Sequence, residues 1–190
     1  MEKNEEYKNL INEMQNNGYT KAEHTISKAK TMILGTLVGL VATAILMILY
    51  RPLLLNKFPD FELNIPLFVI ATIGSIVIHE LLHGLVWSLF CKNGWSSIKI
   101  TWSAFMPSCH CKEPLTTGKY LLGVIAPFVI LGIGTSFITF FVTDLMVIFI
   151  AAINVIIAGG DLLIAFSLLK AKNRMIIDHP TDPGFVAFQK

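Results

Sequence analysis

Four long apolar runs organise the chain. Residues 31–50, 66–90, 119–142 and 145–169 each hold twenty or more residues with almost no charge, enough for a helix to cross roughly 30 Å of hydrocarbon. Residues 1–30 are polar. Within them Tyr7, Leu10, Ile11 and Met14 recur at the i, i+3, i+4, i+7 spacing of a short amphipathic helix, which Asn16-Asn17-Gly18 ends. Such a helix is expected to lie solvated near a membrane surface. Arg51-Pro52 stops the first run, and Pro66 suits the first turn of the second. Pro127, Gly132 and Gly134 predict a kinked or closely packed third helix. Only Val142-Thr143-Asp144 separate the third and fourth runs, which therefore form a tight antiparallel hairpin.

The 91–118 connection is too long for a simple loop. Its segment Trp95–Trp102 alternates weakly and is rich in β-branched and aromatic residues, predicting a strand as one arm of a small ribbon. The predicted fold is an all-α membrane protein of four transmembrane helices, with a cytosolic or interfacial loop containing a short β-ribbon. Residues 1–30 form a polar cytosolic leader and residues 31–190 the membrane domain.

Composition agrees with the pattern: of 190 residues, 54% are hydrophobic and only 15% charged, too apolar for a soluble domain. A net charge of +2 without a basic cluster gives no reason to expect a nucleic-acid partner. The first run begins only at Thr31, behind the leader, and no small-residue cleavage pattern follows it, so it is expected to remain as an anchor. Lys and Arg set the orientation. Five lie in the leader, four between 91 and 119 and four from Lys170 onward, against only Arg51 and Lys57 on the opposite side. The bias predicts a multi-pass protein of the cell membrane with both termini and the 91–118 loop in the cytosol. The three cysteines, Cys91, Cys109 and Cys111, then face a reducing compartment.

The second run contains Ile78-His79-Glu80-Leu81-Leu82-His83-Gly84. Two histidines four apart project from one helix face and can grip one metal ion, while the intervening glutamate can act as general base toward the hydrolytic water. At this chain's His and Glu frequencies such a motif arises by chance at roughly the half-per-cent level. A carboxylate deep in a bilayer helix costs at least about 2.5 kcal/mol, so its presence points to function rather than filler. A catalytic zinc takes a third protein ligand. Asp161, in Ala158-Gly159-Gly160-Asp161, is the one ionisable residue inside the fourth run. Counting residues to the cytosolic ends of their runs puts His83 about 10 Å and Asp161 about 12 Å deep, at the same membrane level. The structural alternative for Asp161 is a hydrogen bond to Asn154, seven residues back on the same face.

Cys109-His110-Cys111 and Glu113 also offer donors, but adjacent residues do not by themselves build a tetrahedral site. Two readings stand for them, a reduced polar turn or contact with substrate or with the metal ligands. The turn-rich segment Asp178–Gly184 is expected to be a surface turn. No G-x-S-x-G elbow or Gly-rich phosphate loop points to another chemistry.

Together, His79-Glu80-Leu81-Leu82-His83-Gly84, Cys109 to Leu115, Ala158-Gly159-Gly160-Asp161 and Asp178-His179-Pro180 give residues 60–185 a family likeness. The chain resembles a bacterial family of integral-membrane zincin-type peptidases, long catalogued as a domain of unknown function and distantly similar to the site-2 proteases. The resemblance implies zinc held by His79 and His83, Glu80 as catalytic base and Asp161 as third ligand. It also implies peptide-bond hydrolysis in a membrane or juxtamembrane protein substrate near the cytosolic face. Asn154, His110 and Glu113 are the candidates for contacts with substrate or with the ligands. The rival expectation is a zinc-binding membrane protein without hydrolytic activity, a metal-handling or substrate-holding module.

Overall fold

The computed structural model describes residues 2–54, 64–103, 106–142, 144–171 and 174–190. Lys57 and Lys172 of the charge count and Thr143 of the expected hairpin lie outside the described residues. Helix α1 (Glu2–Asn16) and strand β1 (Thr20–Thr25) precede the long helices α2 (Lys28–Leu54) and α3 (Ile65–Ser88). A 3₁₀ turn at Gly94–Ser97 leads into strands β2 (Ile98–Ser103), β3 (Met106–Cys111) and β4 (Leu115–Thr116). Helix α4 (Thr117–Pro127) runs through a π-helical turn (Phe128–Ile133) into α5 (Gly134–Ile138). Helices α6 (Leu145–Ile157) and α7 (Gly159–Leu169) follow, then strands β5 (Met175–Asp178) and β6 (Gly184–Gln189).

Four stretches, Lys28–Leu49, Ile65–Ser88, Thr117–Ile138 and Leu145–Leu169, are helical, long and apolar enough to cross a membrane. The protein is mainly helical, with the strands gathered in small sheets. Asn64 caps α3, its side chain accepting from Leu67 N–H at 3.1 Å, with Pro66 in the first turn. The third stretch widens at Pro127, where the missing N–H frees a carbonyl and the helix continues as a π turn. The fourth is two helices joined at Ala158 (φ −70°, ψ −3°). There the glycines permit a close crossing, since a Cβ on Gly159 would run into the Gly35 carbonyl oxygen of α2.

One β element is expected from the sequence; the described residues form two sheets. The strand expected at 95–102 begins later, because Gly94–Ser97 forms a 3₁₀ turn, and β2 spans Ile98–Ser103. It pairs antiparallel with β3, Ile98 opposite Cys111 and Thr101 opposite Ser108. The second, unforeseen sheet has strand order β1-β6-β5-β4, with Thr20 opposite Gln189, Ile177 opposite Val186 and Leu115 opposite Ile176.

Alternate residues of that sheet serve two cores. Ile176, Phe185 and Ala187 pack with Leu115, Tyr120, Trp87 and Leu168 at the ends of the long helices. Ile177, Val186 and Phe188 pack on the other face against Tyr7, Leu10, Ile11 and Met14 of α1. The amphipathic helix expected to lie free near a membrane surface is therefore docked on the sheet. The leader's strand is hydrogen-bonded to the tail's. The turn expected at Asp178–Gly184 connects β5 to β6, closed by His179 N–H donating to the Gly184 carbonyl at 3.2 Å.

Candidate metal centre

One helical turn on α3 separates His79 from His83, and both are buried, at 5% and 6% exposure. Their Nε2 atoms lie 3.2 Å apart with the rings at 79° to each other. Asp161, in the first turn of α7, brings Oδ2 to 2.9 Å from His79 Nε2 and Oδ1 to 3.4 Å from His83 Nε2. Candidate ligand atoms of the three residues all lie within 4.8 Å of one another.

The tautomer of His83 follows from its other nitrogen. Nδ1 lies 2.8 Å from the Gly123 carbonyl oxygen, which can only accept, so Nδ1 carries a proton and Nε2 is the nitrogen left to offer a lone pair to a metal. Oδ2 of Asp161 is buried and has no hydrogen-bond partner among the described residues despite its nearness to His79, so the contact lacks the direction of a hydrogen bond. Nitrogens of two rings and the oxygens of a carboxylate thus converge in a buried space, an arrangement a cation can satisfy. Two imidazoles and one carboxylate are a donor set that suits zinc.

Beyond His83 the helix adds a third member to the same stripe. Trp87 stacks on the His83 ring at 5.3 Å and 18°, and the Tyr120 ring stacks on Trp87 at 5.1 Å and 13°. Trp87 Nε1 donates to the Tyr120 carbonyl at 3.0 Å. The spacing 79, 83, 87 was the available signal for Trp87 in the sequence, whereas no local pattern marks Tyr120 or Gly123.

Glu80 projects from α3 beside the histidines and accepts the backbone N–H of Cys109 at 2.7 Å. The ribbon therefore lies directly over this stretch of α3. Gly84 makes room for it, since a Cβ there would come to 2.8 Å from Ile98 Cγ2 and 3.0 Å from Cys109 Sγ.

The remaining candidates do not join the cluster. His110 holds Asp178, with Nδ1 2.7 Å from Oδ2. Glu113 closes the turn after α3, accepting from Lys92 N–H at 2.7 Å, Asn93 N–H at 3.1 Å, the Asn93 amide at 3.0 Å and the Ser97 hydroxyl. That hydroxyl, with the amides, holds its carboxyl below the usual range. Its donors come from the loop it closes, which makes it a structural clamp. Asn154, 2% exposed on α6, has no hydrogen-bond partner for its amide nitrogen among the described residues. Neither cysteine of Cys109-His110-Cys111 is poised as a thiolate. Burial, then the neighbouring Glu80 and Asp178 charges, push the Cys109 thiol up, and burial does the same to Cys111. Far from forming a turn, these residues lie in β3.

Residues 72–176, more than half of the chain, match the sequence profile of a family described as "Putative zincin peptidase", and the chain belongs to that family. Neither a curated protein nor a solved structure matches it.

Proposed function

We propose that this protein is an integral-membrane zinc metallopeptidase that cleaves membrane or juxtamembrane segments of other proteins near the cytosolic face. The observation that carries the proposal is the convergence of His79, His83 and Asp161 beside the motif glutamate. Insertion in a membrane is supported by the four apolar helices, whose outward faces expose Ile45, Ile48, Ile70, Ile73, Phe137 and Phe166.

His79, His83 and Asp161 would hold the metal, with Gly123 fixing the His83 tautomer. Zinc, when bound, supplies a Lewis acid that acidifies water and polarises a peptide carbonyl. Glu80, released from the Cys109 amide, takes a proton from the attacking water and returns it to the departing amine nitrogen. The apolar walls of the neighbouring helices keep bulk water from the buried ligands.

A helical substrate hides its own carbonyls and must be drawn out as a strand. The ribbon supplies an edge for this. Cys109 and Cys111 N–H both point away from β2, to Glu80 and Asp178, so by the alternation of an antiparallel ladder Ile100 and Trp102 turn their N–H groups to the outer edge of β2. Neither amide has a partner among the described residues.

One observation favours a second reading. The Glu80 carboxylate is engaged by Cys109, as it would be in a zinc-holding protein without turnover. Metal analysis of the detergent-purified protein beside Glu80→Gln, His83→Ala and Asp161→Ala tests the proposal. The expected result is about one zinc per chain in wild type and Glu80→Gln, its loss in the other two, and hydrolysis of a quenched fluorescent casein only by wild type. Zinc retained in both ligand variants rejects the centre. A Glu80→Gln protein as active as wild type rejects the peptidase mechanism.

A further inference from the structure

The Asp178 carboxylate is a junction that the mechanism above does not use. It is 8% exposed and belongs to β5 of the sheet, yet all three of its donors come from elsewhere. Tyr120 Oη–H of α4 donates to Oδ1 at 2.5 Å. His110 Nδ1 and the Cys111 backbone N–H of β3 reach Oδ2 at 2.7 and 3.1 Å.

Two routes lead from this carboxylate to the metal centre. The first runs through aromatic rings: Tyr120 stacks on Trp87, and Trp87 on the face of His83. Trp87 is pinned at both ends of this stack, because its indole N–H also bonds the Tyr120 carbonyl. The second runs along β3. The amides of Cys109 and Cys111 point to the same edge of that strand, two residues and thus about 7 Å apart. One meets Glu80, the other Asp178. A strand held at Cys111 cannot slide or tilt without carrying the Cys109 amide off Glu80.

We infer that Asp178 is a positioning residue of the metal centre, setting the His83 ring through Tyr120 and Trp87 and the β3 edge against Glu80 through Cys111. The inference rests on the metal-centre reading given above. It makes the sheet built from both chain ends part of the site's support. Groups that orient metal-ligating histidines from outside typically alter metal affinity 10- to 100-fold when removed. Asp178→Asn keeps the size of the side chain but removes its charge and turns an amide NH₂ toward one of the three groups, which must then accept instead of donate, so the junction is weakened. Tyr120→Phe removes one hydroxyl and leaves the ring stack in place.

The test is zinc affinity, measured by competition with a chromogenic chelator on the full-length detergent-solubilised protein, together with the visible absorption of the cobalt-substituted form and the unfolding midpoint. Asp178→Asn is expected to weaken zinc binding tenfold or more and to shift the cobalt bands. Tyr120→Phe should act in the same direction by a smaller factor, with a midpoint close to wild type. Glu113→Gln, which loosens the other carboxylate clamp of this region, should change neither affinity nor spectrum. If Asp178→Asn and Tyr120→Phe hold zinc within twofold of wild type with superimposable cobalt spectra, Asp178 is merely structural and the inference falls. Should Asp178→Asn fail to fold, Tyr120→Phe decides alone. A wild-type chain that takes up no zinc overturns the metal-centre reading itself, a result distinguishable from equal binding by wild type and variants.

Discussion

Two imidazoles one helical turn apart grip a cation only when each ring is held, and on α3 the holding is done by neighbours rather than by the motif. His83 is fixed by the Gly123 carbonyl on its Nδ1 and by Trp87 on its face. The same crowding governs the thiols. Burial pushes Cys109 and Cys111 up, and Cys91 as well. A folded state that holds these protons more tightly than the unfolded chain has its full contribution below the unfolded thiol value of about 8.5 and loses it as pH rises beyond that. Alkylation by iodoacetamide at pH 8 should therefore be slow for all three thiols in the native protein and fast in guanidinium, as read by mass spectrometry. Rapid native modification of Cys109 would show that β3 does not stay closed over α3.

At the scale of elements, α7, which carries Asp161, packs against α2 and against α4, and α4 packs in turn on the α3 of the histidines. Gly159→Val forces its side chain against the Gly35 carbonyl, so it should destabilise the protein by about 1–3 kcal/mol and lower its zinc content although no ligand is changed. Gly74→Ala, with open space around it on α3, should leave zinc content unchanged and stability equal or raised by up to about 1 kcal/mol. Melting curves and metal analysis check the pair. The ribbon makes a separate prediction. Ile100→Pro removes an N–H that the β2–β3 ladder does not use, so zinc should stay bound while casein cleavage is lost; an unchanged rate excludes pairing at this edge. Helix α1 gives a third. The Tyr7 hydroxyl is buried without a partner among the described residues, and burial together with the Glu23 and Asp178 charges pushes its phenol to about 12. Tyr7→Phe removes an unsatisfied polar group and should be neutral or stabilising by up to about 1 kcal/mol, measured by chemical denaturation.

For the whole molecule, β1 pairs with β6 along its full length, which forces the first and last segments of the chain to the same side of the helices. The Lys and Arg distribution predicts that this side faces the cytosol. Terminal tags on both ends should then be protease-sensitive in inverted membrane vesicles and protected in right-side-out ones. A tag protected at one end and sensitive at the other contradicts the β1–β6 pairing as well as the orientation.

Length and apolarity alone determined the four long helices, because a run of twenty uncharged residues leaves few other ways to satisfy its backbone in hydrocarbon. Spacing alone put His79 and His83 on one helix face whatever surrounds them, and residue depth pointed to Asp161 as the acid that meets them. The four-stranded sheet was not legible. Gly184–Gln189 is buried on both faces and reads as a continuous apolar run, while Thr20–Thr25 is a polar edge strand, and neither shows the alternation that betrays a strand. The partnerships of β1 with β6, of Tyr120 with Asp178 and of Glu80 with Cys109 join residues far apart in the chain. No local pattern encodes such pairings, so only the packing of the folded chain decided that Glu113 closes the turn after α3, that α1 is docked and that Asp178 meets Tyr120 and the β3 edge.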